Sequence, residues 1–301
     1  MSLSNKIRTF FKKMNLVDKI LNVSGLHQAR NKLDPKLYKH LQKAVLKNFY
    51  EQAKDENKRW KNKQIYAVDV STINLPTSEE TLAFFSVQTN QSPTVRVQGY
   101  GSFLYDVLNE LPINQELEEK QSEVKFIFDS HCDYYNEDIV VLYDRGYADS
   151  SLVGLHKSLD VPCVIRCSTS QSFSIVSDFV KSNSFDHVCK LVIPKEKRAA
   201  WKKYNLPSSV DVRLVKVILS TGETEVLLTT LLDQELYPLD DFAWLYHQRW
   251  KIETYFDRLK NQLDVERFSS GLLLHIEQDF HARVFISTLE SIVTRDEQEA
   301  L

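Results

Sequence analysis

Two short apolar runs that each deliver an aspartate constrain this chain more than any other feature. Ile65-Tyr66-Ala67-Val68 runs into Asp69, and Ile139-Val140-Val141-Leu142-Tyr143 runs into Asp144. Runs of this length and composition read as buried strands. In a packed α/β sheet, strand ends are where charged groups leave the core and meet a ligand, and neighbouring strands bring two such carboxylates together. Paired carboxylates repel unless a cation joins them, and hard divalent ions take oxygen ligands of this kind. An isolated strand-end Asp is more often a turn starter or a helix cap, so these two positions alone leave both readings open.

The rest of the chain supports a mixed α/β organisation. Residues 84–88, 94–100, 124–128 and 161–166 also read as strands, and residues 150–159 as a helix. Further β-rich runs at 187–193, 210–219 and 225–232 follow without a long helix between them. Ser220-Thr221-Gly222-Glu223 separates the last two as a hairpin turn would. Residues 168–235 are therefore expected to form a β-rich insertion. Upstream, apolar residues recur at helical spacing and Asp34-Pro35 fits a helix start, giving a helical segment over residues 1–62 ahead of a core over 63–301. Long helices are expected over 241–263 and 276–294.

Charge is distributed unevenly. The net charge is −3, but residues 1–63 carry sixteen Lys or Arg against five Asp or Glu, a local balance of +11 that leaves −14 for the remainder. A basic segment of that density is either a solvated helical surface or a face for a polyanion such as DNA. No apolar run approaches the ~20 residues of a membrane span and the N-terminus does not resemble a secretory signal, so the expected compartment is the cytoplasm. Cys132, Cys163, Cys167 and Cys189 lack paired Cys-x-x-Cys spacing and read as reduced thiols.

The helix expected from Asp241 adds a third acid. At about 100° per residue, Tyr246, Arg249, Glu253 and Lys260 fall within an arc of roughly 60°. Leu245, Ile252, Phe256, Leu259 and Leu263 line the adjoining stripe. The polar stripe thus borders the core, where a carboxylate can complete a metal site and basic groups can hold phosphates. The plainer alternative is an amphipathic helix with an i,i+4 Arg–Glu pair.

These residues carry a resemblance. Tyr246-x-x-Arg249-x-x-x-Glu253, with Lys260 seven residues on, resembles the Y-(2)-R-(3)-E-(6)-K signature of the insertion-sequence-4 family of DDE transposases. Asp144-Arg145-Gly146-Tyr147 resembles the family's second-carboxylate segment, and Asp69 with Ser71, Thr72, Leu75 and Pro76 its first. Leu104-Tyr105-Asp106-Val107 and Gln278-Asp279-Phe280 are similar to further family segments, so the match is ordered along the chain. Val70 departs from it, standing where the family often has glycine. Family members usually continue past the catalytic helices, so the stop at Leu301 reads as a shortened chain.

The resemblance implies an α/β fold with an RNase H-like catalytic core. Asp69 would lie on the first core strand, Asp144 after the fourth, and Glu253 on a helix beyond a β-rich insertion. It implies a metal-dependent DNA transposase in which Asp69, Asp144 and Glu253 hold two Mg²⁺ ions, with Mn²⁺ as a substitute, for two-metal phosphoryl transfer. Tyr246, Arg249 and Lys260 would contact phosphates of the cleaved end, and Arg145 would do likewise or pair with a neighbouring acid. The implied partners are transposon terminal inverted repeats and target DNA, met as a homodimer. The competing readings are a shortened remnant acting as a DNA-binding regulator, and another RNase H-like nuclease. Trp201, among Lys195, Lys197, Arg198, Lys202 and Lys203, offers an indole for an unpaired base, although a half-buried Trp in a solvated charge run is commoner. Trp244 and Trp250 are expected to be packing residues.

Overall fold

A computed structural model describes residues 3–15, 22–52, 57–88, 96–168, 173–218 and 222–295. Its nine strands are β1 (Gln64–Leu75), β2 (Ser86–Gln88), β3 (Arg96–Asp106), β4 (Leu111–Glu118), β5 (Ile139–Tyr143), β6 (Cys163–Cys167), β7 (Asp186–Val192), β8 (Ser209–Ile218) and β9 (Thr224–Thr229). They form one sheet in the order β2-β3-β1-β5-β6-β9-β8-β7, with β4 beside β3. Strand β3 is antiparallel to β1, while β1, β5 and β6 run parallel. The segment β4-β3-β1-β5-β6 therefore has the strand order and polarity of an RNase H-like sheet. The β-rich segment continues that sheet, because β9 pairs antiparallel with β6.

The helices are α1 (Leu3–Lys13), α2 (Val23–Arg30), α3 (Lys36–Gln52), α4 (Glu79–Phe84), α5 (Glu123–Asp129), α6 (Ser150–Leu159), α7 (Ser174–Lys181), α8 (Lys195–Ala200), α9 (Asp241–His247), α10 (Trp250–Asn261) and α11 (Leu273–Val293). They cover both faces of the sheet, which is why β5 is buried along its whole length. Side chains alternate along the strands. Tyr66, Val68, Val141 and Tyr143 join a core with α5 and α6 residues such as Ile127 and Leu152. Ile65, Ala67, Val140 and Leu142 join the opposite core with Leu245, Ile252, Leu259 and Phe280 from α9, α10 and α11. By the same alternation, Asp69 and Asp144 point to the α9–α11 side.

Towards the N-terminus, Arg30 at the end of α2 donates to Asp279 at 2.7 Å and to Gln278 at 2.6 Å on α11. Leu46 and Phe49 of α3 are buried in the first core. Among the described residues, no helix is long and apolar enough to cross a membrane.

Several local expectations are corrected. Residues 124–128, expected as a strand, belong to α5: Val124, Phe126, Ile127 and Phe128 are all buried, and the Lys125 N–H donates to the Ser122 carbonyl as the first turn closes. Strand β4 escaped notice because Pro112 and the polar run Asn114-Gln115-Glu116 hide its alternation. In the fold, Asn114 pairs with His131, and Gln115 donates to Gln42. The single helix expected over 241–263 is two, α9 and α10, because Gln248, Arg249, Lys251 and Ile252 donate to carbonyls three residues back and tighten the backbone at the junction. Trp244 and Trp250 do pack, against Trp60 and the Arg249 guanidinium, but on one side only, and stay about half exposed at 47% and 52%. Trp201 stacks on Phe128, ring centroids 3.9 Å apart at 11°, so one face of the indole is taken by the protein itself. Part of the hairpin turn at 220–223, part of the run 94–100 and the chain end at Leu301 lie outside the described residues.

Candidate active site

Strand pairing brings the two aspartates together. The parallel β1–β5 ladder ends at Val68 opposite Tyr143, so Asp69 and Asp144 stand one residue beyond its last pair on neighbouring strands. Strand β1 does not stop at Asp69, as the sequence suggested; it continues to Leu75 because β3 keeps pairing with it as far as Val97. Only the parallel partner is lost there, and β5 turns away into the short 3₁₀ turn Arg145–Tyr147.

Glu253 arrives from α10 and is tied to Asp69 by Arg249. The Arg249 guanidinium, 2% exposed, donates through Nη2 to Glu253 Oε1 at 2.7 Å and through Nη1 to Asp69 Oδ2 at 3.4 Å. Its Nε is buried without a hydrogen-bond partner. Burial opposes its charge, but Tyr246, the Glu253 hydrogen bond, Asp144 and Asp69 outweigh that and hold Arg249 above its ordinary range. Tyr246, 4% exposed, donates to Asp144 Oδ1 at 3.3 Å and to the Tyr143 carbonyl at 3.4 Å. The stripe therefore divides: Tyr246 and Arg249 reach the two aspartates from inside the core, and Glu253 lies at its edge with its side chain 39% exposed. The side chains of Lys260, half-buried two turns further on, and of Arg145, exposed, make no hydrogen bond or ion pair among the described residues.

Asp69 carries the electrostatic strain of the arrangement. Burial raises its pKa to about 6, with the Glu123 and Asp144 carboxylates adding to the shift and the Val70 N–H and Arg249 opposing it. Asp144 is also approached by Arg166, whose Nη1 is 3.6 Å from the same Oδ1 while Nη2 holds Glu225 at 2.7 Å. Tyr147 is fully buried and its hydroxyl has no hydrogen-bond partner; burial first, then Asp69 and Glu123, push its pKa well up. Among the described residues, no three His, Cys, Asp or Glu side chains are gathered closely enough to hold one ion in this arrangement, since Arg249 stands between Asp69 and Glu253.

Sequence reasoning missed Arg166, Glu225 and Glu123. Arg166 was within reach, because it lies near the end of a recognised strand as the aspartates do. Glu123 was hidden when its helix was read as a strand.

The family model described as the transposase DDE domain matches residues 35–289. Among curated proteins, none matches the chain. In fold the chain is similar to a piggyBac transposase, seen in a cryo-EM structure of its synaptic complex with hairpin DNA, at 10% identity and a TM-score of 0.44. That likeness covers 77% of this chain and 48% of the other, so this chain spans about half that protein's length. The family match runs from the start of α3 into α11 and takes in all of Asp69, Asp144, Tyr246, Arg249 and Glu253; the chain belongs to the transposase DDE domain family.

Proposed function

We propose that the chain is a DNA transposase of the insertion-sequence-4 type, cleaving phosphodiester bonds at transposon ends and transferring the freed strand to target DNA. Asp69, Asp144 and Glu253 are its catalytic carboxylates. The observation that carries this reading is the convergence, around the buried Arg249 and Tyr246, of acids from three segments far apart in sequence.

The donor chemistry fits a pair of hard divalent cations, Mg²⁺ with Mn²⁺ as substitute. All three donors are carboxylate oxygens, the type such ions take, although among the described residues they stand apart, with Arg249 between Asp69 and Glu253. Such ions, when bound, would activate the attacking water or 3′-hydroxyl and stabilise the leaving oxygen. The protein's own groups do the positioning. Tyr246 fixes one oxygen of Asp144, and Arg249 pairs with both Asp69 and Glu253. Lys260 and Arg145, whose side chains are unpaired among the described residues, contact backbone phosphates of the DNA end. The basic segment over residues 1–62 adds a sequence-independent hold on the duplex. The active form is a homodimer on DNA, working in the cytoplasm at the nucleoid.

The test is cleavage of a duplex carrying the terminal repeats that flank the gene, by purified protein with Mg²⁺. Nicks bearing a 3′-hydroxyl at the repeat ends are expected, and Asp69→Ala, Asp144→Ala and Glu253→Ala should each abolish them. Wild-type cleavage by Glu253→Ala would move the site elsewhere.

A further inference from the structure

The sheet treats its two edges differently. At one end β4 is mostly buried and α3 lies against it, the Gln42 amide donating to the Pro112 carbonyl, while β2, the other strand on that side of β3, has only three residues. Covering and shortening are usual ways to keep an edge strand from pairing. At the other end stands β7, seven residues long, with His187, Val188, Lys190 and Val192 exposed.

The direction of its backbone groups follows from two bonds at its ends. The Lys216 N–H donates to the Phe185 carbonyl at 2.8 Å and the Ile193 N–H to the Ser208 carbonyl at 2.9 Å, so the odd-numbered residues face β8. In an antiparallel pair the alternate residues then turn their N–H and C=O outward, here Asp186, Val188, Lys190 and Val192. The Ser184 hydroxyl accepts from the Asp186 N–H at 3.4 Å and donates to its carbonyl at 2.7 Å, closing that position. From Val188 to Val192 the outward groups have no partner among the described residues. A lysine often guards such an edge, but Lys190 is aimed back over its own sheet, its Nζ 3.7 Å from Asp211 on β8. Val188 and Val192, 45% and 68% exposed, flank it.

We propose that β7 pairs antiparallel with β7 of a second copy of this chain, joining two sheets into one across a two-fold axis. Pairing centred on Cys189 puts Val188 opposite Lys190 of the other copy. It also sets Lys190 diagonal to the other copy's Asp186, whose side chain stays 21% exposed beside Arg213. The register centred on Lys190 is disfavoured, because it would stand like charges directly opposite each other. Self-pairing closes a dimer, since one patch serves both subunits. The inference rests on the homodimer reading and supplies its interface.

The experiment is sedimentation velocity of the full chain across a concentration series, alone and on a duplex carrying the terminal repeats that flank the gene. It compares the wild type with Lys190→Pro and Val188→Lys. Proline at 190 deletes an outward N–H and none of the bonds to β8, and lysine at 188 charges the pairing edge. Each should weaken self-association about tenfold or more, without changing the melting temperature of the monomer; Val188→Lys serves if Lys190→Pro does not fold. A short bismaleimide should link the wild-type dimer through Cys189, since Cys132, Cys163 and Cys167 are buried, and Cys189→Ser should not be linked. Dimers of wild-type strength in both variants, or a dimer that never links through Cys189, would overturn the β7 pairing and leave the homodimer standing. A wild type that stays monomeric both alone and on the duplex would overturn the homodimer, and the pairing with it.

Discussion

Arg249 and Glu253, one helical turn apart, form a 2.7 Å ion pair in which the guanidinium is almost wholly buried and the carboxylate is at the surface. Exposed i,i+4 pairs are worth a few tenths of a kcal/mol, but this guanidinium also reaches Asp69 at 3.4 Å on the same side of the sheet. Removing the guanidinium leaves two carboxylates without their cation. Arg249→Ala should therefore cost roughly 2–3 kcal/mol of stability, at or below the bottom of the range for a fully buried pair because Glu253 is 39% exposed. Divalent cations should restore part of the loss. Denaturant unfolding with and without Mg²⁺ checks both; a loss below about 0.5 kcal/mol would reduce Arg249 to a surface pair.

The Tyr246 hydroxyl makes two long hydrogen bonds, to Asp144 and to the Tyr143 carbonyl. Each such bond contributes about 0.5–1.5 kcal/mol net. Tyr246→Phe should fold normally and cleave roughly 3- to 10-fold more slowly in single-turnover assays, with Mn²⁺ affinity little changed. A thousandfold loss would make the hydroxyl a direct participant.

Three buried histidines set the response to acid. Burial pushes His131, His156 and His281 down to about 4. His131 sits between Ser102 and Asn114, and His156 between Tyr143 and the Val161 carbonyl. Because the folded pKa lies below the unfolded one, their contribution is fully present above about pH 6.5 and is lost as pH falls towards 4. The loss approaches about 1.4 kcal/mol per pH unit for each histidine inside that window. Imidazole C–H shifts followed by NMR should titrate near 4; midpoints near 6.5 would mean that these rings are open to water.

Trp201 is held by Phe128, and nearby Lys197 reaches Asp149 at 2.6 Å. Trp201→Ala should lower stability by about 2 kcal/mol, from lost area and lost stacking. Affinity for single-stranded DNA, measured by anisotropy below the melting transition, should stay within twofold. A tenfold drop in that affinity with unchanged stability would return the indole to the DNA.

The sequence made the aspartates legible because each follows an apolar run whose alternation sets its face: Asp69 keeps the parity of Ile65 and Ala67, and Asp144 that of Val140 and Leu142. Glu253 was legible from helical spacing. What linear pattern could not carry was the partner of each acid. Arg249 looked free to meet a phosphate, yet the tightened α9–α10 junction turns it inward between two carboxylates. The exposure of Trp244 and Trp250 was hidden for a related reason, since a large aromatic reads as core until the helix face it occupies is known. The helix carrying Glu123 was lost because Val124-Lys125-Phe126 alternates over three residues, too short a span to separate a strand from one helical turn.

Asp69, Asp144 and Glu253 are proposed to hold a pair of divalent cations between them. Affinity cleavage tests it without knowledge of the DNA ends: Fe²⁺ replaces the native ion in the full chain, and peroxide and ascorbate generate hydroxyl radicals where it binds. The account expects backbone cuts clustered near residues 69, 144 and 253, all suppressed by excess Mg²⁺. Cuts confined to other segments, or cuts at these three that Mg²⁺ leaves unchanged, would contradict it.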